Sequence, residues 1–165
     1  MLFIKSFQAD LSQSDLLASW LEEVAVALET IPYHKLRFVI HEAFVNACKF
    51  AGEAQSSIIV VIRHQDKLEI AITDPGKGFS IPDNLDQFDT NSIGFRWNLV
   101  TDRETAVVAE IRDPHTLSFH LSAETNDPSL ELRENHRGLI SILKASQQLS
   151  YHFVPNSFNY LQITC

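Results

Sequence analysis

Apolar residues recur at helical spacing twice in the first third of the chain. Leu17, Trp20, Leu21, Val24 and Leu28 form one stripe, and Ser12 or Ser14 stands where it can cap the helix that carries it. Leu36, Val39, Ile40, Ala43, Phe44 and Ala47 form a second stripe over about residues 33 to 51, entered at Pro32 and stopped at Gly52. Ahead of both, residues 2 to 8 alternate enough to make a strand. Residues 57 to 63 and 67 to 73 are β-rich runs joined by a short polar turn, a hairpin, and residues 105 to 111 and 117 to 121 repeat the pattern across Asp113-Pro114. Ile93, Trp97 and Val100 are spaced to line a short helix. A last helix opens at His136-Arg137-Gly138-Leu139, with Leu139, Ile142 and Leu143 on one side, and residues 149 to 154 and 160 to 164 close the chain as strands. The polar stretches at 80–92 and 122–135 read as loops.

The second helix has a polar face worth separating from its stripe. Glu42 and Asn46 lie four residues apart and project side by side, with Lys49 close to the same face. Phe38 and Val45 border that face, so it is not simply bathed in water. The first hairpin ends at Asp74-Pro75-Gly76-Lys77-Gly78-Phe79, a tight, open turn. A carboxylate, an amide and an ammonium beside a glycine turn suit a metal–polyphosphate. The plainer alternatives are a solvated helix face and an ordinary turn.

Glu42-x-x-x-Asn46-Ala47 resembles the N-box of the GHKL ATPases, and Asp74-x-Gly76-x-Gly78-Phe79 resembles their G1 box. Either motif alone is a weak signal; both in order, with a β-rich run between, are fairly specific. Among these proteins the chain looks most like the small bacterial anti-sigma-factor serine kinases, whose order of strand, helix, break and N-box helix it repeats. The resemblance implies an α+β fold, a two-layer α/β sandwich whose mixed, mostly antiparallel sheet is covered on one face by helices. It also implies ATP and Mg2+. Asn46 would hold the metal, Glu42 would act as general base, and Asp74 would accept from the adenine amino group. Gly76 and Gly78 would keep the wall beside the base thin, and Phe79 would pack in the core. Lys49 and Arg137 are phosphate-contact candidates, with surface charge as the plain alternative for both. Phe50 departs from the pattern, because anti-sigma kinases usually carry histidine there. The run Asn46-Ala47-Cys48-Lys49-Phe50 looks closer to two-component histidine kinases, yet what precedes it reads as strand plus helix rather than the helical hairpin bearing a phosphorylated histidine.

Proteins of this type carry a third motif, roughly Gly-x-Gly-Leu, which ends the ATP lid and opens a helix. Arg137-Gly138-Leu139 fits its second half, with His136 at the first glycine position; Ser92-Ile93-Gly94-Phe95 is a rival. We prefer Gly138, because the helix after it is longer and better patterned. That choice makes residues 1–165 one GHKL-type domain with a long lid or insertion region at about 80–135. No Gly-Thr pair precedes the last strand, another departure from the family.

Composition narrows the classes. At 165 residues, 45% hydrophobic and 21% charged, the chain suits one soluble globular domain with a real core. A net charge of −8 repels a phosphate backbone and argues against general nucleic-acid binding. ATP needs only local positive charge, which Lys49, Lys77 and Arg137 can supply, and magnesium. Cys48 within a helix and Cys165 at the last position make no disulfide framework, and the seven histidines show no zinc-like pattern, His115 and His120 being expected on opposite faces of a strand. The strongly apolar run at 58–62 is too short to span a bilayer, and the sequence turns polar at Lys5 without a signal peptide's apolar core. No membrane and a cytoplasmic location are therefore expected.

The leading expectation is an ATP-binding, magnesium-dependent serine kinase acting on a small regulatory protein. Its partners would be a sigma factor, an anti-sigma-factor antagonist, or both, and the family suggests a homodimer through the first strand and helix. A different class is a non-catalytic GHKL-fold module that holds a partner with weak or no nucleotide binding. The half-matched third motif and the missing Gly-Thr support it. The blandest is an unrelated α+β interaction domain.

Overall fold

Strands with period-two alternation and amphipathic helices build the protein, whose computed structural model describes residues 1–29, 31–51, 56–76, 90–101, 105–122, 137–154 and 158–165. In chain order the elements are β1 (Leu2–Gln8), α1 (Ser14–Leu28), α2 (Tyr33–Phe50), β2 (Ser57–His64), β3 (Leu68–Asp74), β4 (Arg96–Thr101), β5 (Ala106–Asp113), β6 (Thr116–Ser122), α3 (Arg137–Ala145), β7 (Gln148–Phe153) and β8 (Asn159–Thr164). The strands form one eight-stranded sheet in the order β1-β2-β3-β8-β7-β6-β5-β4. Each neighbouring pair is antiparallel, so the mixed sheet expected from the sequence has no parallel member among the described pairings. Among the described residues three α-helices pack on one sheet face, which makes the protein an α+β sandwich.

On β2, Ile58, Val60 and Ile62 are buried while Ile59 and Arg63 are exposed, the signature of a strand with one covered face. Leu68, Ile70 and Ile72 on β3 and Leu149, Tyr151 and Phe153 on β7 continue that inner layer. Both helical stripes are buried as patterned. Leu36, Val39, Ile40 and Phe44 on α2 are each 1% exposed or less. Full burial of such side chains contributes about 1.5–3 kcal/mol apiece, enough to fix the rotation of α2 and hence the direction of its polar face. Leu139, Ile140 and Ile142 seat α3 beside α2 and over β6 and β7.

The topology carries one consequence for function. The two C-terminal strands sit in the middle of the sheet, between β3 and β6. The end of β3 therefore meets β8 directly and β7 one strand further on.

Three local expectations are corrected. The short helix expected around Ile93, Trp97 and Val100 is strand β4, preceded by a 3-10 turn at Thr90–Ser92. A register shift between Asn98 and Val100 breaks the alternation and leaves spacing that imitates a helix. The cap of the first helical segment is Asp10, whose Oδ1 accepts from the Ser12 amide at 2.7 Å and caps a 3-10 turn at Leu11–Gln13; Ser14 Oγ donates back to Leu11. His115 lies in the β5–β6 turn, held by its amide's 2.8 Å bond to Asp113 Oδ1, rather than on a strand. Among the described residues no helix is long and apolar enough to cross a membrane.

Candidate functional site

Glu42 and Asn46 leave α2 on the side away from its buried stripe, and both are half-buried. The cover comes from the start of α3. A Cβ added to Gly138 would stand 2.8 Å from Glu42 Oε2 and 3.2 Å from Asn46 Nδ2, so the α3 N-terminus rests directly on this pair. A helix start offers unpaired backbone N–H groups and a partial positive charge. The contact thus brings an anion-attracting helix end to a carboxylate and a carboxamide. Lys49 is exposed in the last turn of α2, where a cation also complements the helix end.

The second wall is the turn after β3. Asp74 shares the inward parity of Ile70 and Ile72 and pairs with Asn159 of β8. Its Oδ1 accepts from the Gly76 amide at 2.8 Å, closing the turn on itself. At Gly76 an added Cβ would lie 2.2 Å from the carbonyl oxygen of Phe50, so only glycine lets the turn approach the end of α2 this closely. Phe50 is one helical turn beyond Asn46. The sequence-predicted residues Glu42, Asn46, Asp74, Gly76 and Gly138 therefore gather around one stretch of α2.

Gly94, the rival to Gly138, sits elsewhere. Its amide donates to Ile111 O at 2.8 Å beside β4 and β5, and its φ of +86° explains a glycine there without any ligand. Gly78, with Lys77 and Phe79, lies outside the described residues, as do His136 and the side chain of Arg137.

Two residues unnoticed in the sequence complete the Asp74 wall. The Tyr151 hydroxyl donates to Asp74 Oδ2 at 2.5 Å, from a side chain only 1% exposed. The side chain of Asn159 hydrogen-bonds the same hydroxyl. Burial, then the Asp74 charge and hydrogen bond, push the Tyr151 phenol far above its ordinary range, so it stays a donor. One signal was available: a tyrosine at a buried strand position needs a partner for its hydroxyl. Nothing local in the sequence names that partner, because the 77-residue separation is closed only by the β3-β8-β7 order.

A family model for the histidine kinase-like ATPase domain matches residues 7–163. The chain belongs to that family, within the GHKL class of ATP-binding domains, which generally work with Mg2+. No curated protein matches the chain.

Proposed function

We propose that this chain binds magnesium–ATP between the Glu42–Asn46 face of α2 and the Asp74–Gly76 turn, and passes the γ-phosphate to a serine of a small regulatory protein. The observation that carries this reading is the seating of Gly138 against both Glu42 and Asn46. The residues fit the ligand. Asn46 presents a carboxamide oxygen, a hard donor suited to magnesium, which takes few protein ligands and leans on phosphate and water for the rest. The start of α3 adds backbone N–H groups for phosphate oxygens, and Asp74 presents acceptors to an exocyclic amine. Bound magnesium would neutralise charge building on the phosphates.

Glu42 is the base in this reading. Its carboxylate takes the proton from the serine hydroxyl as the new oxygen–phosphorus bond forms and the bond to the β-phosphate oxygen breaks, leaving ADP and phosphoserine. Lys49, Gly78 and Arg137 would add phosphate and base contacts. The partner would be a sigma factor or an antagonist of an anti-sigma factor, in the manner of the kinases the motifs resemble. One observation favours the second reading, a partner-holding module with weak or no nucleotide binding. Both Asp74 oxygens already accept from within the protein, from Gly76 and Tyr151. Glu42→Gln separates the two. A kinase loses phosphate transfer to its protein substrate while still binding MgATP; a holding module shows no transfer before or after the substitution.

A further inference from the structure

The Asp74 carboxylate is held at both of its oxygens. Gly76 N–H meets Oδ1 at 2.8 Å and the Tyr151 hydroxyl meets Oδ2 at 2.5 Å. Asn159, the β8 residue paired with Asp74, hydrogen-bonds the Tyr151 oxygen in turn. A carboxylate oxygen has more than one lone pair, so each can accept once more. Both bonds are accepted, and the group cannot rotate without breaking one of the two. A lone aspartate at a turn would lack this constraint: it could swing away from an unwelcome group or let a water stand between.

Resting on the nucleotide reading above, we infer that Tyr151, steadied by Asn159, is a positioning residue that makes the site select a base by its exocyclic amine. A purine carrying an amino group at position 6 donates to the locked acceptor. A purine carrying a keto oxygen there sets one acceptor against another, and the locked carboxylate cannot turn away. The cost of that mismatch depends on rigidity, because sites built to hydrogen-bond a substrate group reject analogues lacking it when their own polar groups are left unpaired. The pair also supplies a hydroxyl and an amide beside Asp74 in a chain that has no Gly-Thr before its last strand.

The test is the ratio of ATP to inosine triphosphate affinity, measured with magnesium on the full chain by competition against a fluorescent ATP analogue. Wild type prefers ATP. Tyr151→Phe keeps the ring and removes only the hydroxyl; the preference falls by about tenfold, the scale of one hydrogen bond to a charged group. Asn159→Ala leaves Tyr151 in place and lowers the ratio in the same direction by less, and it decides the matter if Tyr151→Phe does not fold. A general loosening of the fold weakens both nucleotides together and leaves the ratio alone. An unchanged ratio in the folded variants, beside a wild type that prefers ATP, overturns the role of Tyr151 and leaves the nucleotide reading standing. A wild type that binds neither triphosphate overturns both.

Discussion

Tyr151 on β7 and Asp74 at the end of β3 are joined by a 2.5 Å hydrogen bond that spans the intervening strand β8. If Asp74 served only to accept from the adenine amino group, Asp74→Asn would remove ATP affinity with little effect on the fold. The hydrogen bonds revise that expectation. An asparagine that keeps its oxygen on the Gly76 amide turns its NH2 to the Tyr151 hydroxyl, which must then accept instead of donate, and both bonds lose the carboxylate's charge. Asp74→Asn should therefore lose about 1–2 kcal/mol of unfolding free energy in a urea titration, together with its ATP affinity. Wild-type stability in this variant contradicts the hydrogen-bond account.

Gly76 and Gly138 should behave differently. The Cβ of Gly76→Ala collides with the Phe50 carbonyl oxygen at 2.2 Å, a backbone atom that moves only with the end of α2. The Cβ of Gly138→Ala meets the far end of the Glu42 side chain at 2.8 Å, which can swing aside. Gly76→Ala should cost about 1–3 kcal/mol, and Gly138→Ala markedly less. Thermal melts of the two variants check this, and the reverse ranking would refute the packing described for the Asp74 turn.

The fold was largely legible because one-sided burial imposes a visible period. The stripes Leu17 to Leu28 and Leu36 to Ala47 and the alternation of residues 57 to 63 all name their buried side. The failures have equally physical causes. The bulge between Asn98 and Val100 disguised β4, and a cap upstream of both expected serines was hidden because Asp10 acts through a 3-10 turn. Glu42 and Asn46 were legible because they are one turn apart on a single helix, and Asp74 and Gly76 because they close a strand in a turn. Tyr151 and Asn159 were not, since their approach to Asp74 depends on sheet order, which no local spacing encodes.

Cys48 should be inert. Burial, reinforced by the Asp10 charge, pushes its thiol up to about 11, so almost none is thiolate at neutral pH. Alkylation with iodoacetamide at about pH 8, followed by peptide mass spectrometry, should run about a hundredfold slower at Cys48 in the native protein than in the urea-unfolded chain. Equal rates would show that the thiol is not held as described.

His152 gives stability a pH dependence. It stacks on Tyr160 at 4.6 Å with its ring nitrogens beside Ser150 and Thr116. Burial pulls its pKa below the ordinary imidazole value, against the smaller opposing effects of the Asp113 charge and a Gln162 hydrogen bond. The unfolded chain therefore takes up this proton more readily than the folded one. The stabilising contribution is complete above about pH 6.5, declines as the pH falls below that, and levels off once the depressed folded value is passed. His152→Gln should narrow the difference in melting temperature between about pH 8 and about pH 5. An unchanged difference removes His152 as its source.

The central claim is that Asn46 and Asp74 face one magnesium–ATP site. Calorimetric titration of MgATP into wild type and Asn46→Ala tests it most directly. The wild type should bind, and the variant, lacking the carboxamide oxygen for the metal, should bind about tenfold more weakly or worse while melting as the wild type does. Equal affinity in the two proteins, or no heat of binding in the wild type, would contradict the claim.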